Sequence, residues 1–284
     1  MGLNVNGTKF LLFARRLGVS FEKTATIGRQ ELLVSPATLR QNLRLFDIEL
    51  SVADTEKLFA DANNFAEPFL KLLGAAEVVS FDASDYENAS IRHDFNQPIP
   101  NEFKGKFTTV LDGGTLEHIF NFPTAIRNCM EMVAEGGHFL AITPANNHLG
   151  HGFYQFSPEL FFRVVSAQNG FELEKLIIFE ESSGCPWFEV ADPDFVKERV
   201  TLINGVSTMM LIIARKIATV DIFAVAPQQS DYVSVWAGNA VSSQNATRPR
   251  RSPLSVIRRI RMYLDRHFGM LNRRTKHFKK IDPA

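Results

Sequence analysis

The chain has 284 residues, a mean hydropathy of −0.06 and a formal net charge of zero, with 31 Lys and Arg against 31 Asp and Glu. That length can bury a full core and leaves room for one α/β domain plus an appendage. No run reaches the roughly 18 apolar residues of a membrane span, and Met1 to Thr8 lacks the basic-then-apolar pattern of a secretory leader, so a cytoplasmic protein is the expectation. Cys129 and Cys185 stand apart with no CxxC or CxxH context, which predicts reduced thiols and no metal set. Neutrality hides an asymmetry: from Arg248 to Ala284 there are twelve Lys and Arg against Asp265 and Asp282, while the first 247 residues hold 19 bases and 29 acids. Opposite signs on body and tail suggest either docking of one on the other or an anionic partner for the tail.

Phe10 to Gly18 has helical spacing and a Gly stop. Thr24 to Gly28 reads as a buried strand, with Gly28-Arg29-Gln30 as the turn after it. Ser35-Pro36 opens a helix over Ala37 to Phe46, with Ser as cap and Pro in the first turn. Ser51 to Phe59 is a second capped helix, and Ala66 to Leu73 a third, stopped by Gly74. Glu77 to Phe81 is the next strand, ending in Asp82, and Ile91 to Asp94 is a short one. Then come strand 107–112, helix 122–134, a Gly136-Gly137 hairpin and strand 138–143. A loop rich in Asn, Gly and His leads to a helix from Pro158 with Ser157 as cap. Leu173 to Phe179 and Thr208 to Ala214 are long apolar strands. Strands alternating with helices predict a doubly wound, mostly parallel sheet with helices on both faces.

In such a sheet the ligand lies outside the carboxyl ends of the strands. The run Leu111-Asp112-Gly113-Gly114-Thr115-Leu116-Glu117-His118 sits at one of those ends. A strand ending in an acid (Asp82), the segment His93-Asp94-Phe95-Asn96, this run, and Gly136-Gly137 before the next strand follow in the order found in class I S-adenosylmethionine-dependent methyltransferases. Residues 24 to about 180 resemble that family, in its broad type 11 form. The resemblance implies a Rossmann-like fold and S-adenosylmethionine as cofactor. It implies that Asp82 accepts the ribose hydroxyls, that Asp94 meets the adenine with Phe95 beside it, and that Asp112, Gly113 and Gly114 line the methionine and sulfonium. Glu117, among the cofactor contacts, and His118 would stand near the transferred methyl.

The first glycine motif departs from the family's pattern. Where an acid and Gly-x-Gly-x-Gly are expected, this chain has Ile27-Gly28-Arg29-Gln30-Glu31, so Arg29 or Gln30 is expected to pair with the cofactor's carboxylate beside Gly28. The stretch of about 35–74 is longer than a single crossover helix, and is expected either as a helical lid or as a sign that the first strand lies elsewhere. The loop Asn146 to Pro158 is where substrate contacts are expected. His151 is the first candidate general base and His118 the second, since imidazole takes a hydroxyl proton near neutral pH; Tyr154 and Gln155 would orient substrate.

The expected division is an α/β domain at 1–218, a Gln-, Ser-, Asn- and Ala-rich linker at 219–250 and a basic amphipathic helical tail at 251–284. Leu254, Ile257, Ile260, Leu264, Phe268 and Leu271 form one stripe of that tail. It suits an anionic membrane surface, hence peripheral membrane association; the acidic body, without an aromatic and basic platform, argues against nucleic acid. The leading expectation is O-methylation of a small molecule or glycan. Two others stand beside it: a methyltransferase-like binding or scaffold protein that has lost the cofactor, and a nucleotide-binding oxidoreductase, which would want the Gly-x-Gly-x-x-Gly that is absent.

Overall fold

A computed structural model describes residues 2–181, 186–230 and 277–284. Cys185, most of the expected linker and the expected helical tail up to residue 276, with its whole apolar stripe, lie outside the described residues.

Strand β1 (Gly2–Leu3) pairs with β3 (Glu31–Leu32), apart from the main sheet. The main sheet contains β2 (Lys23–Ile27), β4 (Glu77–Asp82), β5 (Ile91–Arg92), β6 (Phe107–Asp112), β7 (Val133–Asn146), β8 (Phe171–Glu180), β9 (Trp187–Val190), β10 (Thr208–Lys216) and β11 (Phe278–Ile281). Across the sheet they run β11-β9-β8-β10-β7-β6-β2-β4-β5. From β5 to β7 every pairing is parallel; from β7 to β11 every pairing is antiparallel. Only β9 and β10 therefore run against the common direction, and the sheet is mostly parallel as expected.

The helices form as their caps dictate. Ser35 Oγ accepts from Thr38 N at the start of α2 (Pro36–Leu45), and Ser51 Oγ accepts from Asp54 N at the start of α3 (Val52–Ala60). Helix α1 (Val5–Arg16) starts earlier than its apolar spacing predicts, because Asn4 Oδ1 accepts from both Asn6 N and Gly7 N. With α4 (Glu67–Leu72), these three helices cover one sheet face, packing Phe10, Leu39, Leu43 and Phe69 against Leu111, Leu140 and Leu211. The long stretch after β2 is thus a helical layer on the sheet, and β2 is correctly the first parallel strand. Helices α5 (Phe122–Met132) and α6 (Pro158–Val164) cover the other face, against Ala25, Val110, Phe139 and Ile212. Cys129 is a buried core thiol there, and burial pushes its pKa well up.

Two expectations change at the C-terminal side. Gly136 and Gly137 do not form a hairpin but lie inside the long β7, where Gly136 alone takes the left-handed region (φ 78°). Residues 278–281, expected as part of a basic helix, form an edge strand on β9. Trp187 and Ile281 pack on α1's apolar face, Trp187 Nε1 donates to Asn6 Oδ1 (3.1 Å), and Arg16 donates to the Pro283 carbonyl. Part of the expected linker is also fixed on the body: Ile222 is buried in the core, and Phe223 N donates to Asn169 Oδ1 (3.0 Å). Within the described residues the domain thus extends past residue 218.

Candidate functional site

The chain leaves β2 toward β4 on one side and returns to β6 on the other. That is a topological switch point, where the loops at the carboxyl ends diverge and leave a crevice. Ile27 of β2 is in register with Phe81 and with Asp112, and Asp82 lies one residue beyond Phe81. At ordinary strand spacing Asp82 and Asp112 flank the crevice about 10 Å apart.

On the β2 side, Gly28 takes the left-handed region (φ 73°) and donates its N–H to the Phe81 carbonyl (2.7 Å). Arg29 turns away from the crevice. Its Nε donates to Glu67 Oε1 (2.6 Å), its Nη1 donates to the Glu87 carbonyl (2.9 Å), and its guanidinium lies 3.8 Å from the Phe65 ring centroid. Gln30 turns in and is buried. Its Nε2 donates to the Ile27 and Gly28 carbonyls (2.9 and 3.1 Å), while its Oε1 is buried without a hydrogen-bond partner. A Cβ on Gly113 would stand 2.1 Å from that oxygen, so a bare backbone at 113 is what lets Gln30 lie across the crevice.

On the β6 side, Asp112 is fully buried. Its Oδ1 accepts from Thr115 N (2.8 Å) and Leu116 N (3.3 Å), and its Oδ2 is buried without a partner. Burial, only partly offset by those N–H groups, pushes this carboxyl up to about 7. Thr115 Oγ1 donates to the Ile27 carbonyl (2.6 Å), tying the two turns together. A short 3₁₀ turn, Leu116–His118, then presents Glu117 and His118. Glu117 is buried, with Oε2 3.5 Å from Thr143 Oγ1 on β7; burial and the neighbouring Asp112 raise it to about 8. His118 is exposed, and its pKa is lowered by partial burial and by His151.

The loop after β7 folds back over this turn. Phe153 N and Tyr154 N both donate to the Glu117 carbonyl (2.9 and 3.2 Å), which brings the His151 ring to 5.1 Å from that of His118. A Cβ on Gly152 would come within 2.9 Å of the Glu117 carbonyl, so the approach needs glycine there. Tyr154 and Gln155 are used inside the loop: Tyr154 Oη donates to the Phe120 carbonyl (2.7 Å), and Gln155 Oε1 accepts from His148 N (2.7 Å). Exposed Phe120 and Phe153, each two residues along the chain from His118 and His151, meet edge to face.

No family model matches the sequence, and neither does any curated protein. Among solved structures the chain is similar to an S-adenosylmethionine-dependent methyltransferase from Mesorhizobium loti, with a TM-score of 0.42 and 12% identity over 75% of this chain and 100% of that one. It is similar to the N-methyltransferase NodS from Bradyrhizobium japonicum at a TM-score of 0.41 and 12% identity, over 74% of this chain and 94% of that one. At those values the chemistry has to be argued from this chain's own residues.

The structure therefore gathers Gly28, Gln30, Asp112, Gly113, Gly114, Glu117, His118 and His151 at one edge, with Asp82 flanking them. Asp82 is half-buried, and its Oδ1 accepts from Ser84 N and Ser84 Oγ (2.8 and 3.0 Å). Asp94 is exposed in a local turn in which Oδ1 accepts from Asn96 N and Nδ2, and the Asn96 N–H holds its carboxyl below the usual range; Phe95 is a core residue. Sequence reasoning passed over Thr143, which meets the Glu117 carboxyl from β7, and Gly152. The glycine between His151 and Phe153 was the available signal; Thr143 reads as one more residue of an apolar strand.

Proposed function

We propose that the chain is an S-adenosylmethionine-dependent methyltransferase whose acceptor is a hydroxyl on a small molecule or glycan. One observation carries the reading. Two oxygens, Gln30 Oε1 and Asp112 Oδ2, are buried on the two lips of the switch-point crevice with no donor to meet them. An orphaned buried acceptor costs free energy unless a ligand supplies the donor. A ligand with a cationic, hydrogen-rich end satisfies both, and the ammonium of a methionine moiety is such an end. Asp82 has a second carboxyl oxygen beyond the one held by Ser84, in the position that suits a ribose diol. The carboxylate of the donor is less well served: the Arg29 guanidinium and the Gln30 amide nitrogen are both committed elsewhere.

The cofactor supplies a methyl group already activated on a sulfonium, so the protein's task is mainly positioning. This chain's residues hold the donor end at Gln30 and Asp112. On the acceptor side the Glu117–His118–His151 cluster lies at the rim, where a hydroxyl loses its proton, and Phe120 and Phe153 offer ring faces on which a sugar stacks. With the donor bound, the hydroxyl oxygen would displace the sulfur from the methyl carbon, His151 or His118 would take the hydroxyl proton, and a neutral thioether would leave.

Calorimetry with two ligands tests this. S-adenosylhomocysteine carries the amino acid end and the ribose; 5′-methylthioadenosine carries the ribose without that end. Asp82→Ala should weaken both. Asp112→Asn should weaken only the first. No heat with either ligand at millimolar concentration in the folded protein would overturn the reading and favour a binding or scaffold role.

A further inference from the structure

Glu117, His118 and His151 come from two segments more than thirty residues apart, yet each offers a ligating atom within 4.8 Å of the others. We propose that these three side chains bind a divalent transition-metal ion, with Zn²⁺ the first choice. The inference goes beyond methyl transfer and stands without it.

Glu117 has no exposed surface, and its Oε1 is buried without a hydrogen-bond partner. His151 Nε2 stands 3.4 Å from it without forming a hydrogen bond. That separation matches one edge of a tetrahedral site, since two ligands at about 2.1 Å from an ion stand about 3.4 Å apart, and the three ligating atoms as a set lie within 4.8 Å. The remaining atoms are arranged to keep the ligand in place. Thr143 Oγ1 approaches the other carboxyl oxygen at 3.5 Å, and the N–H groups of Phe153 and Tyr154 bind the Glu117 carbonyl and fix the loop that carries His151. Gly152 allows that loop to come as close as it does.

The donor set selects the ion. Two imidazoles and one carboxylate suit Zn²⁺, Fe²⁺, Co²⁺ or Ni²⁺, whereas Mg²⁺ and Ca²⁺ favour oxygen throughout. Three protein ligands leave a coordination position free, and because both imidazoles are exposed that position faces solvent. A hydroxyl taken there is acidified by the ion. Only this last step rests on the methyl-transfer reading.

The test uses the full chain, stripped by chelator and titrated with ZnCl₂ by calorimetry, and separately with CoCl₂ by visible absorption, with no donor or acceptor present. One ion per chain is expected, with intense visible bands for the cobalt form. His118→Ala and His151→Ala should each weaken binding by at least about tenfold, no less than loss of an outer-shell partner costs, and should remove the bands. His93→Ala, outside the cluster, should bind as the parent does. Glu117→Gln is the stronger substitution but alters a buried site, so the two exposed histidines carry the test. Absence of binding in the parent, or binding by both histidine variants as tight as the parent's, would overturn the proposal. Either result leaves the ligand calorimetry above to judge methyl transfer independently.

Discussion

The turns after β2 and β6 leave neighbouring parallel strands at the same edge of the sheet, yet they are built in opposite ways. After β2, the side-chain donors are used nearby, Arg29 on Glu67 and Glu87 and the Gln30 amide nitrogen on Ile27 and Gly28, and Gly28 N donates to Phe81. After β6, two ionisable groups, the Asp112 and Glu117 carboxyls, are buried with an oxygen each unmet. The β2 turn leaves a single neutral acceptor unmet, Gln30 Oε1, and is otherwise scaffold. A turn that buries charge without meeting it pays in stability for something that binds, and this difference separates the residues that hold the crevice from those that use it.

The largest effect is expected at Asp112. Asparagine keeps the Oδ1 acceptor for Thr115 and Leu116 but replaces the orphan oxygen with an NH₂ group. Affinity for S-adenosylhomocysteine should fall by the roughly 1.5–3 kcal/mol of a hydrogen bond to a charged group. Stability should move the other way. The folded carboxyl titrates at about 7 against 3.8 in the unfolded chain, so the native state holds the extra proton in that window. Its stabilising contribution is full below about 4 and is lost as pH rises through about 7. Melting temperatures of Asp112→Asn and parent should therefore diverge with the variant higher at pH 8 and draw together as pH falls to about 4. A variant that loses stability at pH 8 would contradict the account of Asp112 as a buried, unmet charge.

Next comes the contact between the two turns. Gly113→Ala drives a methyl into Gln30 Oε1 and should cost about 1–3 kcal/mol in urea unfolding, as overpacking does. The double substitution with Gln30→Ala should recover part of that loss. Simple additivity would mean that Gln30 does not occupy the space beside Gly113.

Arg29→Ala removes a partly buried ion pair and a ring contact. A stability loss of about 1 kcal/mol is expected, with S-adenosylhomocysteine affinity unchanged within about twofold. A tenfold loss of affinity would return Arg29 to the cofactor's carboxylate. The smallest effect is expected at Asp94, whose hydrogen bonds stay within an exposed turn: Asp94→Ala should change stability by less than about 0.5 kcal/mol. Its calorimetric titration with 5′-methylthioadenosine would reveal an adenine contact as a weakened affinity, and none is expected.

Much of this was legible in the chain. Ser35-Pro36 and Ser51 announced their helices because capping is local chemistry, and the apolar runs at 77–81 and 107–112 announced buried parallel strands. The Asp112 to His118 run was legible as a candidate site because small residues and paired polar groups after such a strand have few structural uses. The pairing of β11 with β9 was not, because Phe-Lys-Lys-Ile after a basic stretch has no local feature that distinguishes an edge strand from a helix end. Arg29 was equally opaque: a guanidinium after a strand suits a ligand carboxylate as well as Glu67, and only the placement of α4 decides between them.

By itself the sequence determined the elements, the direction of most strands and the sheet edge where chemistry would be placed, because periodicity, caps and turn residues act over a few positions. Only the tertiary structure decided which side chains face one another there. Gln30 against Gly113, and His151 against Glu117, are meetings of segments far apart in the chain, brought about by the packing of whole layers, and no local preference encodes them.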